Sequence, residues 1–139
     1  MRFVERVVFD TSTLISAALR TDSTPALAFR KALASHEVCA SPDTLRELET
    51  VLTRAKFDRY LDRGGRGAFL DLYRKFATSC DVRESIKACR DPKDDKFLAL
   101  VVSCGAGILV SSDHDLLDLH PFREIAIATP ADFLEGRWR

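Results

Sequence analysis

The chain alternates short apolar runs with stretches in which apolar residues recur every three or four positions. The runs rich in β-branched or aromatic residues predict strands at residues 6–10, 37–40, 79–83, 108–112 and 124–128. Helical spacing fills the segments between these strands. Because strands and helices alternate throughout, we predict a single α/β domain over residues 1–139, a three-layer α/β/α sandwich with a mainly parallel central sheet.

Four predicted helices open on a polar capping residue followed by proline. The pairs are Thr24-Pro25, Ser41-Pro42, Asp91-Pro92 and Thr129-Pro130, and each places proline at the first helical position. Leu27, Phe29 and Leu33 are predicted to belong to the buried face of the helix that starts at Thr24. Gly64-Gly65-Arg66-Gly67 is predicted to break the chain before a further helix.

Two aspartates directly follow predicted buried strands, Asp10 after the first strand and Asp113 after the strand ending at Ser112. Ligands of a parallel sheet bind outside the carboxyl ends of its strands, so both carboxylates are expected at one edge. Glu47 and the acidic run Asp91–Asp95 lie between them in sequence. Acids that converge on one edge repel one another unless a cation neutralises them, and Mg²⁺ or Mn²⁺ prefer such oxygens. The layout predicts a metal-dependent enzyme that acts on phosphates.

Each of these acids also has a structural explanation. Asp10 alone could be a turn or cap residue, and Glu47 alone could be a solvated charge on a helix face. Asp91 and Asp94 fall at the N-cap and third positions of a helix, where acids are stabilising. Asp95 adds a third negative charge to the same turn, more than capping requires, which favours a nearby cation.

Ser12 and Ser112 lie beside the strand-end aspartates. Their hydroxyls could bond a carboxylate or a metal-bound water, and both could equally be turn residues. The chain contains no G-x-S-x-G, P-loop or G-x-G-x-x-G pattern. Serine hydrolases, P-loop nucleotidases and dinucleotide-binding enzymes therefore lack support in this sequence.

The charge balance limits how a phosphate polymer could be bound. Lys plus Arg and Asp plus Glu number 21 each, so the formal net charge is zero. This argues against tight nucleic-acid binding by bulk electrostatics, but it allows a local basic rim. The N-terminus is charged and enters a strand directly, unlike a signal peptide, and the apolar stretch Phe97–Val102 is too short to span a bilayer. We expect a soluble, cytoplasmic protein.

The four cysteines, Cys39, Cys80, Cys89 and Cys104, are widely spaced and form no C-x-x-C pair. Such spacing predicts neither a zinc site nor a secreted disulfide framework. We expect them to be small buried hydrophobes in a reducing cytoplasm.

Four segments, in order along nearly the whole chain, resemble the motifs of PIN-domain ribonucleases. Val7–Ala17 resembles the opening motif, a buried strand followed by Asp-Thr-Asn, and Ser41–Leu48 resembles the segment that carries the family's helical acid. Asp91–Leu98 is similar to the D-P-x-D-x-K-F-L form found in a branch of toxins from toxin–antitoxin systems. Leu109–Leu117 resembles the fourth motif, in which an aspartate follows a strand. No single motif is decisive, but four in this order are specific.

Carried over position by position, the resemblance implies site residues for catalysis and metal binding. The implied catalytic and metal-binding acids are Asp10, Glu47, Asp94 and Asp113; the candidate outer acids are Asp91, Asp95 and Asp115; the candidate supports are Ser12 and Ser112. Asp94 is preferred to Asp95 by its offset to the following helix and strand, although Asp95 could substitute. Ser12 departs from the family's usual asparagine, and its shorter reach bears on how Asp10 is oriented.

The resemblance also implies hydrolysis of RNA phosphodiester bonds with Mg²⁺ or Mn²⁺ as the cofactor. It implies a toxin with a small antitoxin protein as partner, a homodimer or higher homo-oligomer, and no membrane association. Candidates for a phosphate-contacting rim, which a solvated face would explain equally well, are Arg46, Arg54, Lys56, Lys93 and Lys96. Two alternatives stay open: a catalytically inert PIN-derived binding module, and a haloacid-dehalogenase-type phosphohydrolase, which needs a second aspartate where Ser12 stands.

Overall fold

A computed structural model describes residues 4–138 and confirms the predicted α/β class. Five parallel strands form one sheet in the order β3-β2-β1-β4-β5. The strands are β1 (Arg6–Phe9), β2 (Glu37–Ala40), β3 (Thr78–Ser79), β4 (Ile108–Val110) and β5 (Ala126–Ala128). β1, β4 and β5 are shorter than predicted, and β3 begins one residue before the predicted segment 79–83 and shares only Ser79 with it. The predicted entry of the first three residues into a strand lies outside the described residues.

Helices cover both faces of this sheet. They are α1 (Thr11–Leu19), α2 (Thr24–Ser35), α3 (Pro42–Leu52), α4 (Arg63–Phe76), α5 (Asp95–Cys104), α6 (His114–Leu117) and α7 (Pro130–Glu135), with 3₁₀ turns at Ala55–Phe57 and Pro92–Asp94. Buried residues of α1–α4 and α7 pack on one face of the sheet, and those of α5 and α6 pack on the other. Within residues 4–138, none of these helices is both long and apolar enough to cross a membrane.

Apolar side chains pack on both faces of the sheet, so the carboxylates lie at the ends of the strands. On one face, the ring of Phe9 packs edge-on against Phe29 and Phe133, at centroid distances of 5.6 and 5.9 Å. On the other face, Val8 lies in a cluster with Phe97 and Leu98 of α5. Since both faces of β1 are buried in apolar side chains, a carboxylate is favourable only beyond the ends of this strand, and Asp10 lies beyond its carboxyl end.

Two predictions for α2 are wrong, the N-cap residue and the burial of Leu27. Ser23, not Thr24, is the N-cap, and its hydroxyl accepts a hydrogen bond from the Ala26 N–H at 3.2 Å. Leu27 is 45% exposed, whereas Phe29 is buried. The buried stripe includes Ala26, Phe29 and Ala32, which recur at three-residue spacing, so Leu27 projects outside it.

The predicted break at Gly64-Gly65-Arg66-Gly67 is also wrong, because these residues form the first turns of α4. Asp62 caps this helix, accepting a hydrogen bond from the Gly65 N–H at 2.7 Å. The Arg66 side chain is buried and binds the preceding loop through the carbonyl oxygens of Leu52 and Arg54, at 2.9 Å each. The cap and the buried arginine thus offset a helix-propensity cost of about 1 kcal/mol per glycine.

Candidate active site

Asp10 is a buried carboxylate fixed at the carboxyl end of β1. It is the N-cap of α1, and its Oδ1 accepts a hydrogen bond from the Thr13 N–H at 2.9 Å. Its Oδ2 accepts one from the Ser111 hydroxyl. Burial raises the pKa of Asp10, although the hydrogen bonds from Ser111 and Thr13 act in the opposite direction. The side chain is 3% exposed, so its orientation is set before any ligand binds.

Three further aspartates meet beside it. One carboxylate oxygen from each of Asp94, Asp113 and Asp115 lies within 4.8 Å of the others. Asp113 is the N-cap of α6 and accepts a hydrogen bond from the Asp115 N–H at 2.9 Å. Ser111 links the two strand ends, because its hydroxyl also accepts a hydrogen bond from the Asp113 N–H at 2.9 Å.

Asp94 shows the electrostatic cost of this grouping. Its pKa is raised to about 7, first by burial and then by the adjacent Asp113 carboxyl, with smaller effects from the charges of Asp91 and Asp10. Its Oδ2 atom is buried, and no hydrogen-bond donor within residues 4–138 reaches it. A buried acceptor without a donor, surrounded by other carboxylates, is an environment that a cation would stabilise.

The four predicted catalytic acids, Asp10, Glu47, Asp94 and Asp113, line one cleft of about 420 Å³. Glu47 reaches it from α3, and its Oε2 accepts a hydrogen bond from the Lys96 ammonium of α5. Both side chains of this pair are 25% exposed, so the ion pair is partly shielded from water. The structure therefore brings together four acids that are up to 103 residues apart in sequence (10 to 113).

The other acids of the run take different positions. Asp91 is exposed and caps the 3₁₀ turn, accepting a hydrogen bond from the Lys93 N–H at 3.0 Å. Asp95 accepts hydrogen bonds from the N–H groups of Ala88 and Cys89, at 3.0 and 2.8 Å. Burial would raise the pKa of Asp95, but these hydrogen bonds lower it. Asp95 is thus engaged by the 88–89 loop, while Asp94 lies in the cleft.

The serine at the end of β4 that supports Asp10 is Ser111, which the sequence did not indicate, and not the predicted Ser112. Ser112 is exposed, and the Ser12 hydroxyl is 3.4 Å from Asp10 Oδ1, which is a long hydrogen bond. Ser111 could have been found from strand register: Phe9 pairs with Val110, so the next residues, Asp10 and Ser111, are neighbours on the same face of the sheet. A strand side chain one residue further on points to the opposite face.

A second, more basic groove of about 590 Å³ adjoins the acidic cleft and shares Glu47 and Asp94 with it. Its cationic lining residues are Arg46, Arg54, Lys93 and Lys96, and Lys56 lines the acidic cleft itself. All five predicted rim cations therefore lie around the acids. Positive charge at this place offsets the repulsion between a carboxylate cluster and a phosphate polymer.

A sequence profile described as the PIN domain matches residues 6–115. The chain belongs to the PIN domain family. PIN domains are generally nucleases, which hydrolyse a nucleic-acid substrate, and they typically use a divalent metal. The match includes all four acids of the cleft and ends at Asp115.

A solved structure shows the same fold. The crystal structure of PAE2754 from Pyrobaculum aerophilum superposes with a TM-score of 0.62 and 17% sequence identity, over 95% of this chain and 88% of that one. No curated protein matches this PIN domain in sequence. At this identity, the structural likeness supports the fold alone.

The cleft of this PIN domain fits a hard divalent cation. Its donors are carboxylate oxygens, which such ions prefer, and Asp94 Oδ2 is a buried acceptor without a hydrogen-bond partner in residues 4–138. The raised pKa of Asp94 indicates that one positive charge, a proton or an ion, is favoured there.

We predict that Asp94→Asn stabilises the protein in the presence of chelator. Folding raises the pKa of Asp94 from 3.8 to about 7, so the protein loses stability as the pH rises through that interval. Asparagine does not titrate and therefore removes this loss. Because Asp94 is partly exposed, we expect only about 1–2 kcal/mol at about pH 8, or roughly 3–8 °C in Tm. Thermal unfolding from about pH 5 to about pH 8 measures the effect.

The matched control is Asp95→Asn, the same change one residue later. The pKa of Asp95 is lowered, so its carboxylate contributes stability at every pH above the unfolded pKa. The Asp95→Asn variant should therefore be less stable than the wild type throughout the range from about pH 5 to about pH 8. An Asp94→Asn advantage that did not grow with pH would contradict the proposed cause.

Proposed function

We propose that this PIN domain is a ribonuclease that hydrolyses RNA phosphodiester bonds with Mg²⁺ or Mn²⁺ in the acidic cleft. The observation that carries the proposal is the convergence of Asp10, Glu47, Asp94 and Asp113 on one cleft, where Asp94 Oδ2 lacks a hydrogen-bond donor among residues 4–138. Carboxylates grouped in this way cost stability, and a function that needs a cation explains why they are present.

The residues proposed to hold the ion are Asp10, Asp94 and Asp113, with Glu47 in the same cleft. Mg²⁺ or Mn²⁺ bound there would polarise the scissile phosphate and lower the pKa of a water molecule. Ser111 and Thr13 hold both oxygens of Asp10 in place, so this carboxylate needs little rearrangement to bind. Glu47 lies in the same cleft, where it could position the attacking water, and it forms an ion pair with Lys96.

The substrate is proposed to enter along the basic groove. The net charge of the chain is zero, so attraction for RNA has to be local. Arg46, Arg54 and Lys93 line the groove beside the acids, where they could contact phosphates on either side of the scissile bond. Lys96 lines the same groove and connects it to the cleft through Glu47.

The similarity of Asp91–Leu98 to a toxin motif supports a role as the toxin of a toxin–antitoxin pair, acting in the cytoplasm. A small antitoxin protein and a second copy of the chain are the partners this role requires. Exposed apolar side chains of α2 and α4, Leu27, Leu72 and Phe76, could serve either interface. Each is 39–54% exposed, so burying them would favour association.

Cleavage of RNA by the purified protein with Mg²⁺ or Mn²⁺, compared with excess EDTA, tests the proposal. We expect cleavage with either metal and none in EDTA, with recovery when metal is restored. Equal cleavage in EDTA would contradict the metal mechanism. No cleavage of single-stranded or structured RNA under any metal would favour an inert binding module, and a phosphoaspartate trapped at Asp10 would favour a phosphohydrolase.

A further inference from the structure

A second group of metal-binding side chains lies away from the acidic cleft. The sulphur atoms of Cys39, Cys80 and Cys104 all lie within 4.8 Å of one another. Cys39 belongs to β2, Cys80 follows β3, and Cys104 is the last residue of α5. None of the three forms a disulfide. Three elements that are distant in sequence thus bring three thiols to one point.

This thiol cluster, Cys39, Cys80 and Cys104, is separate from the acids. Asp94 directly precedes α5, whereas Cys104 ends it, and a ten-residue helix is about 15 Å long. The carbonyl oxygen of Cys104 accepts a hydrogen bond from Arg6, the first residue of β1, at 2.8 Å. The end of α5 therefore lies at the amino edge of the sheet, opposite the edge that carries Asp10.

We propose that Cys39, Cys80 and Cys104 form a binding site for a thiophilic cation, with Zn²⁺ as the ion that fits best. Thiolates select zinc and other soft ions over Mg²⁺ or Mn²⁺, so the two sites would not compete for one metal. With Zn–S bonds of about 2.3 Å, two sulphurs on one ion lie roughly 3.8 Å apart. The thiols are already within 4.8 Å, so small side-chain rotations would bring them to this spacing.

The accessibility and charge of the cluster fit this assignment. Cys39 and Cys104 are buried, whereas Cys80 is half-buried, so solvent is nearest to the cluster at Cys80, and a water molecule there would be the fourth zinc ligand. The Arg6 guanidinium lies beside the cluster, and its charge favours thiolates there. A divalent ion also offsets more thiolate charge than Cu⁺ would.

The three thiols lie close enough to change one another's pKa. The pKa of Cys104 is lowered to about 7, chiefly by its interaction with the adjacent Cys39 thiol, with help from the Ala106 N–H and from Arg6. The pKa of Cys39 is raised, first by its interaction with the Cys104 thiol and then by burial. The pKa of Cys80 is also raised, mainly by burial.

Bound zinc would tie the short edge strand to the rest of the fold. β3 has only two residues, and the ion would connect the chain that follows it to β2 and α5. Because the unfolded chain does not hold the three thiols together, binding would favour the folded state and raise Tm. This property is independent of nuclease activity and can be measured without a substrate.

The experiment uses the full chain, stripped of metal and kept reduced with a non-thiol reductant. Co²⁺ is added as a spectroscopic stand-in for zinc, followed by Zn²⁺ alone. We expect a thiolate-to-cobalt charge-transfer band that saturates at one equivalent, its displacement by Zn²⁺, and a rise in Tm with Zn²⁺. Binding of either ion in the acidic cleft would give no such band, because that cleft offers oxygen ligands.

The test variant is Cys80→Ser, since Cys80 is the least buried member of the cluster and the change adds little strain. The matched control is Cys89→Ser, because Cys89 is the fourth cysteine, is also half-buried, and lies beside Asp95 outside the cluster. We expect the band to disappear in Cys80→Ser and to persist in Cys89→Ser, and the zinc-dependent rise in Tm to be smaller in Cys80→Ser than in Cys89→Ser. A wild-type protein without the band, or a band that survives Cys80→Ser, would overturn the proposal.

Discussion

Asp10→Asn is expected to reduce RNA cleavage by at least about 10³-fold, equivalent to ~4 kcal/mol of transition-state stabilisation. The substitution removes the most buried charge of the cleft, on which the cation is proposed to depend. The fold should be unaffected, because asparagine is as good an N-cap as aspartate and can still accept the Thr13 N–H bond. Initial rates of RNA cleavage at saturating Mg²⁺ or Mn²⁺ measure the effect.

Asp62→Asn is the matched control for this substitution. Asp62 is also an N-cap aspartate, at the start of α4, and it accepts a hydrogen bond from the Gly65 N–H at 2.7 Å. It does not line the acidic cleft. We expect Asp62→Asn to cleave RNA at the wild-type rate, with a Tm close to that of the parent. An Asp10→Asn variant that kept wild-type activity would refute the role of this carboxylate.

Arg66→Ala is expected to lower the free energy of unfolding by about 3–4 kcal/mol, a large part of the 5–15 kcal/mol typical of a domain. The side chain is 2% exposed and forms an ion pair with Asp58. Its guanidinium also donates to the carbonyl oxygens of Leu52 and Arg54, which would be left without these donors. Urea unfolding should show a lower midpoint with an unchanged slope.

Two variants separate the buried contacts of Arg66 from its charge. Arg63 also lies near Asp58, at 3.9 Å, but its side chain is 80% exposed, so Arg63→Ala should change stability by no more than about 0.5 kcal/mol. Arg66→Lys keeps the charge but lacks the planar fork that reaches several acceptors, so we expect an intermediate loss. Equal losses for Arg63→Ala and Arg66→Ala would show that the buried hydrogen bonds contribute nothing.

The fold could be predicted because its determinants are local and repeated. Buried strands such as Val7–Phe9 and Ile108–Val110 are continuous apolar runs, and capped helices lie between them, a pattern that few topologies satisfy. The starts of α3 and α7 were also predicted correctly, because the cap side chain and the proline are adjacent in sequence. The start of α4 was predicted as a break because it contains three glycines. It is helical because the Arg66 side chain binds the carbonyl oxygens of Leu52 and Arg54, which are distant in sequence.

The candidate site was only partly predictable. The strand-end position of Asp10 and Asp113 follows from the hydrophobic pattern, and the family motif selected Asp94 over Asp95. Asp95 differs from Asp94 because it accepts hydrogen bonds from the 88–89 loop, and no local sequence pattern specifies the path of that loop. Ser111 and the thiol cluster depend on strand register and on the packing of α5, which are tertiary properties.

The shortness of the outer strands has a consequence for self-association. β3 has two residues and β5 has three, so each side of the sheet offers few free backbone groups to a strand from another molecule. Growth of the sheet into a continuous intermolecular ladder is thereby disfavoured, which protects the chain against fibrous aggregation. A dimer of this protein would instead be held by side chains on helices, and its affinity would respond to polar substitutions at Leu27 or Phe76.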